Sequence, residues 1–482
     1  MSVLEKLEPY KVFKYFEEIA SIPHGSRNTK QISDYLVNFA KERNLEHYQD
    51  SLNNVIIIKE ASKGYESAEP IIIQGHMDMV CEKENGCTID FNKDGLDLYI
   101  DGDFIKAKDT TLGGDDGIAV AYALAILDSP EIEHPRLEVV ITVDEEIGML
   151  GAVDIDLSML KGHQMLNIDS DVEGSFLTSC AGGMSLNVTI PVIRQSKEGT
   201  LINLKVSGLV GGHSGGEIDK EHGNADILMG RVLDVLFTNT PFGIINLEGG
   251  LKDNAIPREC KCQILAPSEN IDLITSIINE LDTTLKKEFS VADPDVNISL
   301  EVIGDAEEEI LDFASINKVI FYLRTVPNGI MNMSQIIPGL VETSLNLGIM
   351  KLNDNHLCMV TSIRSSVSSR KEDIKNRVIT LVELLGGDVE IEGDYPAWEY
   401  KKDSPLREKV KETYTKLFGK EPVFEAIHAG LECGILSGKI KDLDCVSFGP
   451  DNYDIHTPKE RLSISSTQRI WKFIVEFLKN AK

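Results

Sequence analysis

Ile71-Ile-Ile-Gln-Gly-His76-Met-Asp78 is a short apolar run that ends in an imidazole and a carboxylate. Unbroken apolar character over so few residues reads as a strand buried on both faces, the kind found at the centre of a parallel sheet. His76 and Asp78 are two residues apart at its C-terminal end, so they fall on one face. The same pattern recurs. Val139-Val-Ile-Thr-Val-Asp-Glu145-Glu146-Ile-Gly148 ends a buried strand in an acidic run, and Leu166-Asn-Ile-Asp169-Ser-Asp171 does likewise. Far along the chain, Phe448-Gly-Pro-Asp-Asn-Tyr-Asp-Ile-His456 follows an apolar stretch, Leu443–Phe448. Thr110-Thr-Leu-Gly-Gly-Asp115-Asp116-Gly117 places an acidic pair at the start of the helical stretch Gly117–Leu127. Open α/β sheets bind ligands at the carboxyl ends of their strands. Here several such ends carry carboxylate or imidazole.

Outward from these strings, apolar runs at Asn54–Ile58, Ile71–Ile73, Leu137–Val143 and Met165–Ile168 alternate with helical pattern, which predicts an α/β domain with a mostly parallel sheet. Leu4, Leu7, Val12, Phe13 and Phe16 fall near helical spacing and predict an amphipathic first helix. The character changes after Ala181-Gly-Gly183. Strands at Ser185–Val192, Thr200–Val206, Val296–Val302 and His356–Ile363, with amphipathic helices at Asn270–Ser290 and Arg370–Leu385, predict an inserted α+β lid. A helix at Pro405–Leu417, the strand at Leu443–Phe448 and a helix at Ser466–Leu478 return to the first style. The expected division is a catalytic domain over residues 1–184 and 398–482, interrupted by a lid over 185–397.

With 482 residues the chain is long enough for two or three domains, and 42% hydrophobic with 26% charged residues is ordinary globular composition. The formal net charge of −30 repels phosphate backbones and anionic lipid surfaces, so neither nucleic acid nor membrane is expected as a partner. No basic n-region precedes an apolar run at the N-terminus, and the expected location is the cytoplasm. Eight dispersed cysteines form no disulfide framework, and Cys260-Lys-Cys262 lacks the second pair that a zinc ribbon requires. Free thiols are expected. His134, His163 and His222 occur without acidic company at a strand end and read as structural.

Taken singly, each polar string has a plain reading. His76 alone is a satisfied or solvated histidine, Asp-Asp-Gly a helix cap or turn, and Glu-Glu a solvated pair. Together they place four carboxylates and two imidazoles at one sheet edge. Like-charge repulsion and desolvation disfavour that arrangement unless cations neutralise it. One or two divalent ions remove the difficulty, and mixed Asp/Glu/His donors suit zinc, with manganese or cobalt able to substitute.

These strings, in this order, resemble the di-zinc aminopeptidase/carboxypeptidase/aminoacylase family of metallopeptidases. The match is extended by Gly211-Gly-His213-Ser-Gly-Gly-Glu-Ile and His428-Ala-Gly-Leu-Glu-Cys-Gly434. The resemblance implies two Zn2+ per chain: His76 and Asp169 on one, Glu146 and His456 on the other, and Asp115 bridging, preferred to Asp116 because it directly follows Leu-Gly-Gly. It implies a cis peptide after the bridging residue, Glu145 as general base and Asp78 as the carboxylate orienting His76. In the lid it implies substrate-binding roles for His213 (oxyanion donor), Asn254 and Arg364, and it matches the Gly430 backbone to a loop that lines the pocket. By itself the Gly-Gly-His-Ser-Gly-Gly string reads equally well as a flexible surface loop. The expected activity is hydrolysis of unblocked dipeptides of broad sequence, X-His included, by a hydroxide between the zincs. Within the same fold the alternative is an N-acyl amino acid hydrolase or carboxypeptidase. A non-catalytic metal-binding protein is the reading from another class. The long lid makes a homodimer an expectation, with His213 completing its own site or its partner's.

Overall fold

The computed structural model describes residues 2–482; Met1, at the head of the N-terminal stretch, lies outside the described residues. The chain forms two units, each with its own apolar core.

The first unit comprises residues 1–179, 400–426 and 431–482. Its centre is four strands: β1 (Ile71–His76), β2 (Leu137–Thr142), β3 (Gln164–Asn167) and β4 (Asp444–Ser447). They lie in the order β2-β1-β3-β4 and all pair in parallel. The parallel part of the sheet stops there. Strands Glu46–Gln49 and Val55–Lys59 extend the β2 side by antiparallel pairing, and Ser175–Cys180 meets β4 antiparallel, giving an eight-stranded sheet with Val423–Ile427 at the far edge. Every residue of β1 and β2 is buried, as their unbroken apolar runs require.

Helix α1 (Gly114–Leu127) packs against β1 and runs through the core of this unit. Its sequence after Gly117 is Ala, Ile, Leu, Val and one Tyr, apolar on all sides, and a helix of that kind must be surrounded. Tyr122 meets the one polar demand by donating its hydroxyl to the Thr467 carbonyl at 2.8 Å. The expected N-terminal helix begins later than the apolar spacing suggested. It spans Tyr10–Ala20, after Pro9 as N-cap, while Leu4 is fully buried from outside the helix.

The second unit comprises residues 180–399 and 427–430. Its nine-stranded sheet pairs antiparallel throughout the recorded registers. Helices Ala225–Asn239, Ile271–Glu288, Phe313–Thr325 and Ser368–Leu384 supply the rest of its core. Cys260 and Cys262 are both buried in that core, and neither forms a disulfide. No helix among the described residues is long and apolar enough to cross a membrane.

Candidate metal centre

Parallel strands deliver their C-terminal ends to one edge, and the four central strands put different chemistry there. β1 ends in His76 itself, β2 runs into Asp144-Glu145-Glu146, β3 into Asp169, and β4 into the segment that reaches His456. The first turn of α1 brings Asp115 and Asp116 to the same place, with a cis peptide between them.

Asp115 stands between the two imidazoles. Its Oδ1 lies 3.2 Å from His76 Nε2 and its Oδ2 3.1 Å from His456 Nε2. His76 Nε2 is also 3.9 Å from Asp169 Oδ1, and His456 Nε2 is 3.0 Å from Glu146 Oε2. Three overlapping groups have ligand atoms within 4.8 Å of one another: His76, Asp116 and Asp169; His76, Glu145 and Glu146; Asp115, Glu146 and His456. Asp116 is therefore close enough to compete with Asp115. However, its Oδ2 already accepts the backbone N–H of His76 at 3.1 Å, whereas both oxygens of Asp115 face imidazoles.

His76 Nδ1 is held from behind. It lies 2.9 Å from the carbonyl of Asp78 and 3.4 Å from that residue's Oδ1. The Asp78 carboxylate accepts from the Ser26 hydroxyl at 2.8 Å and from the Glu145 N–H at 3.1 Å, so it also fixes the turn that presents the acidic pair. Facing an acceptor, Nδ1 carries the proton and leaves Nε2 as the free donor atom.

The electrostatics show what this donor set lacks. Burial drives Glu145 well above the usual carboxylate range, pushes Asp169 up to about 7 and raises Asp171 to about 8. Burial alone would lower His76, but Asp115 and Asp78 outweigh it and raise the ring well above its ordinary value. Asp115, then Glu146, push His456 up to about 10. Neutralising these carboxylates and partnering Glu146 Oε1, which is buried with no hydrogen bond, are the two tasks the site sets. Divalent cations would take over both tasks. The residues fit such ions: imidazole and carboxylate donors converge, with an unpartnered oxygen among them.

His213, Asn254 and Arg364 lie in the second unit, and so does Gly430, which the expected division left in the catalytic segment 398–482; the four are brought close to one another. Gly212–His213 pairs antiparallel with Ala255–Ile256, and the Ser214 N–H donates to the Asn254 carbonyl at 2.9 Å. His213 Nδ1 accepts the N–H groups of Gly215 and Gly216 at 3.2 and 3.0 Å, which assigns the ring proton to Nε2. Partial desolvation, then the charge of Arg364, hold His213 below its ordinary value, so the ring is a neutral donor. Arg364 forms no ion pair among the described residues. Its Nη1 donates to the Tyr395 hydroxyl at 3.3 Å and its buried Nε has no partner. A Cβ at Gly430 would come within 2.8 Å of the Tyr395 ring, so only glycine allows that approach.

Sequence reasoning passed over several groups. Glu432, in the first turn of α2 (Glu432–Lys439), is fully buried and accepts from Gln74 Nε2 at 2.5 Å and from the Thr142 hydroxyl at 2.6 Å. It sat inside a quoted string, yet its partners are 358 and 290 residues away. Ser26, in a turn-like Pro-His-Gly-Ser, gave no signal beyond its loop. His428 donates or accepts at 2.7 Å with the Ser344 hydroxyl, and burial pushes it down to about 4. Asp171 was quoted as part of a strand end without a role. Of the three histidines read as structural, His134 and His222 meet backbone carbonyls, His222 also lying 3.6 Å from Asp293, and His163 lies exposed beside Glu69.

Comparison with known proteins gives a consistent set of matches. Peptidase family M20/M25/M40 matches residues 72–480. The cytosol non-specific dipeptidase of Escherichia coli (strain K12) is 36% identical over 481 residues, 99% of either chain. The crystal structure of aminoacylhistidine dipeptidase from Vibrio alginolyticus aligns at 35% identity with a TM-score of 0.93, covering 99% of this chain and 97% of that one. Aminopeptidase PepT from Bacillus cereus ATCC 10987 shares the fold at 15% identity, with a TM-score of 0.58 over 98% of this chain and 99% of its own.

Proposed function

Because this chain belongs to peptidase family M20/M25/M40, we propose that it is a metallo-dipeptidase that hydrolyses unblocked dipeptides of broad sequence, X-His included. The observation that carries the reading is the placement of Asp115, one oxygen toward His76 and the other toward His456. Two relatives of near-identical length, named as a cytosol non-specific dipeptidase and an aminoacylhistidine dipeptidase, support the substrate class, and the first supports a cytoplasmic location.

His76 and Asp169 would hold one divalent ion, Glu146 and His456 a second, with Asp115 shared between them. Zinc is the ion these donors suit best. When bound, the ions supply Lewis-acid polarisation of the scissile carbonyl and acidification of water toward neutral pH. Everything else falls to the chain. Asp78 keeps the His76 proton on Nδ1 and so its Nε2 lone pair on the metal side. Glu145 takes the proton of the attacking water and returns it to the leaving amine nitrogen. Its burial raises its proton affinity, the direction a general base needs. His213, neutral and protonated on Nε2, donates to the developing oxyanion. Arg364, with a buried and unpartnered Nε, binds the substrate carboxylate, while Asn254 and the Gly430 backbone complete substrate binding.

The deciding assay sets a free dipeptide beside its N-acetylated form, with chelator and zinc added in turn. Hydrolysis of the free form only, abolished by chelator and restored by zinc, is expected. Hydrolysis of the acetylated form only would overturn the substrate class in favour of an acylase or carboxypeptidase. The expected homodimer is tested by mixing inactive His213→Ala and Glu145→Gln proteins: regained activity means that His213 acts on the partner's site.

A further inference from the structure

Two segments outside the sheet carry two of the three proposed ligands of the second ion. Asp115 sits where Thr110–Gly114 enters α1, and His456 lies between Asn452 and Arg461. One side chain ties these segments together. Glu460 is 2% exposed, and its carboxylate accepts four consecutive backbone N–H groups. Oε2 takes those of Leu112 at 2.7 Å and Gly113 at 3.1 Å, and Oε1 those of Gly114 at 2.8 Å and Asp115 at 3.3 Å. Asn452 Nδ2 donates to the same Oε1 at 3.2 Å.

The first amides of a helix have no intrahelical acceptor and normally find one in a local Ser, Thr, Asp or Asn. Here the N-cap is Gly113, at φ +66°, which has no side chain to offer. The acceptor instead comes from about 345 residues away, four positions beyond His456. The approach is close: a Cβ at Gly114 would stand 2.9 Å from Asn452 Nδ2 and 3.2 Å from Glu460 Oε1. Glu460 is fixed in turn on its own segment by its N–H, which donates to the Thr457 carbonyl at 3.1 Å. A single carboxylate therefore determines where the Asp115 backbone stands relative to the loop that bears His456. It touches neither imidazole nor any ligand oxygen.

We propose that Glu460 is a positioning residue that sets the affinity of the Asp115, Glu146 and His456 group for its divalent ion, by locking the Leu112–Asp115 amides to the His456 segment. This rests on reading that group as a metal site. Charged acceptors hold N–H donors about twice as strongly as neutral ones, and four donors on one carboxylate leave the loop little freedom. Glu460→Gln keeps the shape but replaces one acceptor oxygen with an amide nitrogen, which faces two of the four donors.

The test uses the full chain, stripped of metal and titrated with zinc by calorimetry. For Glu460→Gln we expect unchanged far-UV circular dichroism, amide exchange at Leu112–Asp115 faster by at least tenfold, and a loss of at least tenfold in affinity at the weaker of two zinc sites. The kcat for dipeptide hydrolysis falls at limiting zinc and recovers at saturating zinc, with KM within twofold of the parent. A residue that only supported the fold would lower the melting temperature without that zinc-dependent recovery. Asn452→Ala, which removes one donor from Oε1, shifts the isotherm in the same direction by less and serves if Glu460→Gln fails to fold. Parent-like exchange and zinc isotherms in the folded variant overturn the proposal while leaving the metal centre intact. A parent protein that takes up no zinc overturns the metal centre itself, and the affinity role with it.

Discussion

Glu145 and Glu146 are adjacent in sequence but face different partners. Glu146 Oε2 meets His456, whereas Glu145 is anchored by its N–H on Asp78 and buried among acids. Glu145→Gln keeps the volume and removes the base. Activity on a free dipeptide is expected to fall by about 10²–10⁴-fold, the usual worth of a general base, with zinc stoichiometry unchanged by metal analysis. Full activity with zinc in place would remove Glu145 from that role. Asp226, in the second unit, is a different kind of buried acid. It is 0% exposed, packed against the Gly249 backbone, and the one side chain that polarises it is the weak thiol of Cys260. Burial pushes it up to about 7 from an ordinary 3.8, so the folded chain keeps a proton that the unfolded chain releases as pH rises past about 4. With more protons bound in the native state, the contribution of this group to stability declines from about pH 4 to about pH 7 and levels off above. Asp226→Asn removes that contribution and is expected to stabilise the chain at pH 8 by a few kcal/mol, with little effect at pH 4. Urea unfolding of both proteins at the two pH values measures it. An equal difference at both would show that the proton on Asp226 plays no part.

Behind the ligands, the strands share a polar layer. Asn167 on β3 donates to Gln74 Oε1 at 2.5 Å, Gln74 on β1 donates to Glu432, and Thr142 on β2 donates to the same Glu432 oxygen. Gln74 precedes His76 by two residues, as Asn167 precedes Asp169, so the layer stands one step below these proposed metal ligands along two strands. Removing Gln74 alone takes the acceptor from the Asn167 amide and leaves Glu432 with only the Thr142 hydroxyl, at roughly 1–3 kcal/mol for each lost partner. Gln74→Met with Glu432→Met replaces both polar partners and should cost less than the sum of the two single changes. A double-mutant cycle by thermal or urea unfolding reads the coupling, and strict additivity would mean that the layer does not act as a unit. This layer also marks how far the sequence could be read. Strands and the residues just past their ends were legible because apolar runs and the polar residues that follow are local features. His76, Asp169 and Glu146 follow from them. Glu432 and Glu460 were not, because what defines them is a partner hundreds of residues away, and in the case of Glu460 a set of backbone amides without side-chain identity. The long strands Arg194–Ser207 and Asn297–Leu311 were read only over their apolar parts. Their outer halves, Gln195–Gly199 and Asp305–Glu309, are mostly polar, exposed or half-exposed residues paired across the ladder, with a register shift at Leu201/Ile202.

At the scale of the whole chain, the proposed metal ligands all belong to the first unit, and the apolar core of the second draws only on residues between Met184 and Val382. That core includes Met229, Leu233, Ile264, Val319, Leu347 and Val378 from three helices and an antiparallel sheet, all at or near zero exposure. A 220-residue segment of this kind is long enough to bury a self-sufficient core. Residues 180–399 expressed alone should therefore fold and melt cooperatively. Because the segment holds none of the proposed ligands, its melting temperature should be the same in zinc and in chelator. The full chain should differ. A ligand bound only by the native state stabilises it by RT ln(1 + [L]/Kd), about 4 kcal/mol at a thousandfold excess over Kd. Zinc should thus raise the melting of the full chain by several degrees, and chelator should reverse the rise. A segment that is unfolded alone would show that its core needs the rest of the chain. A segment that melts higher in zinc would place a metal site where none is assigned, and either outcome would force the division of labour between the two units to be redrawn.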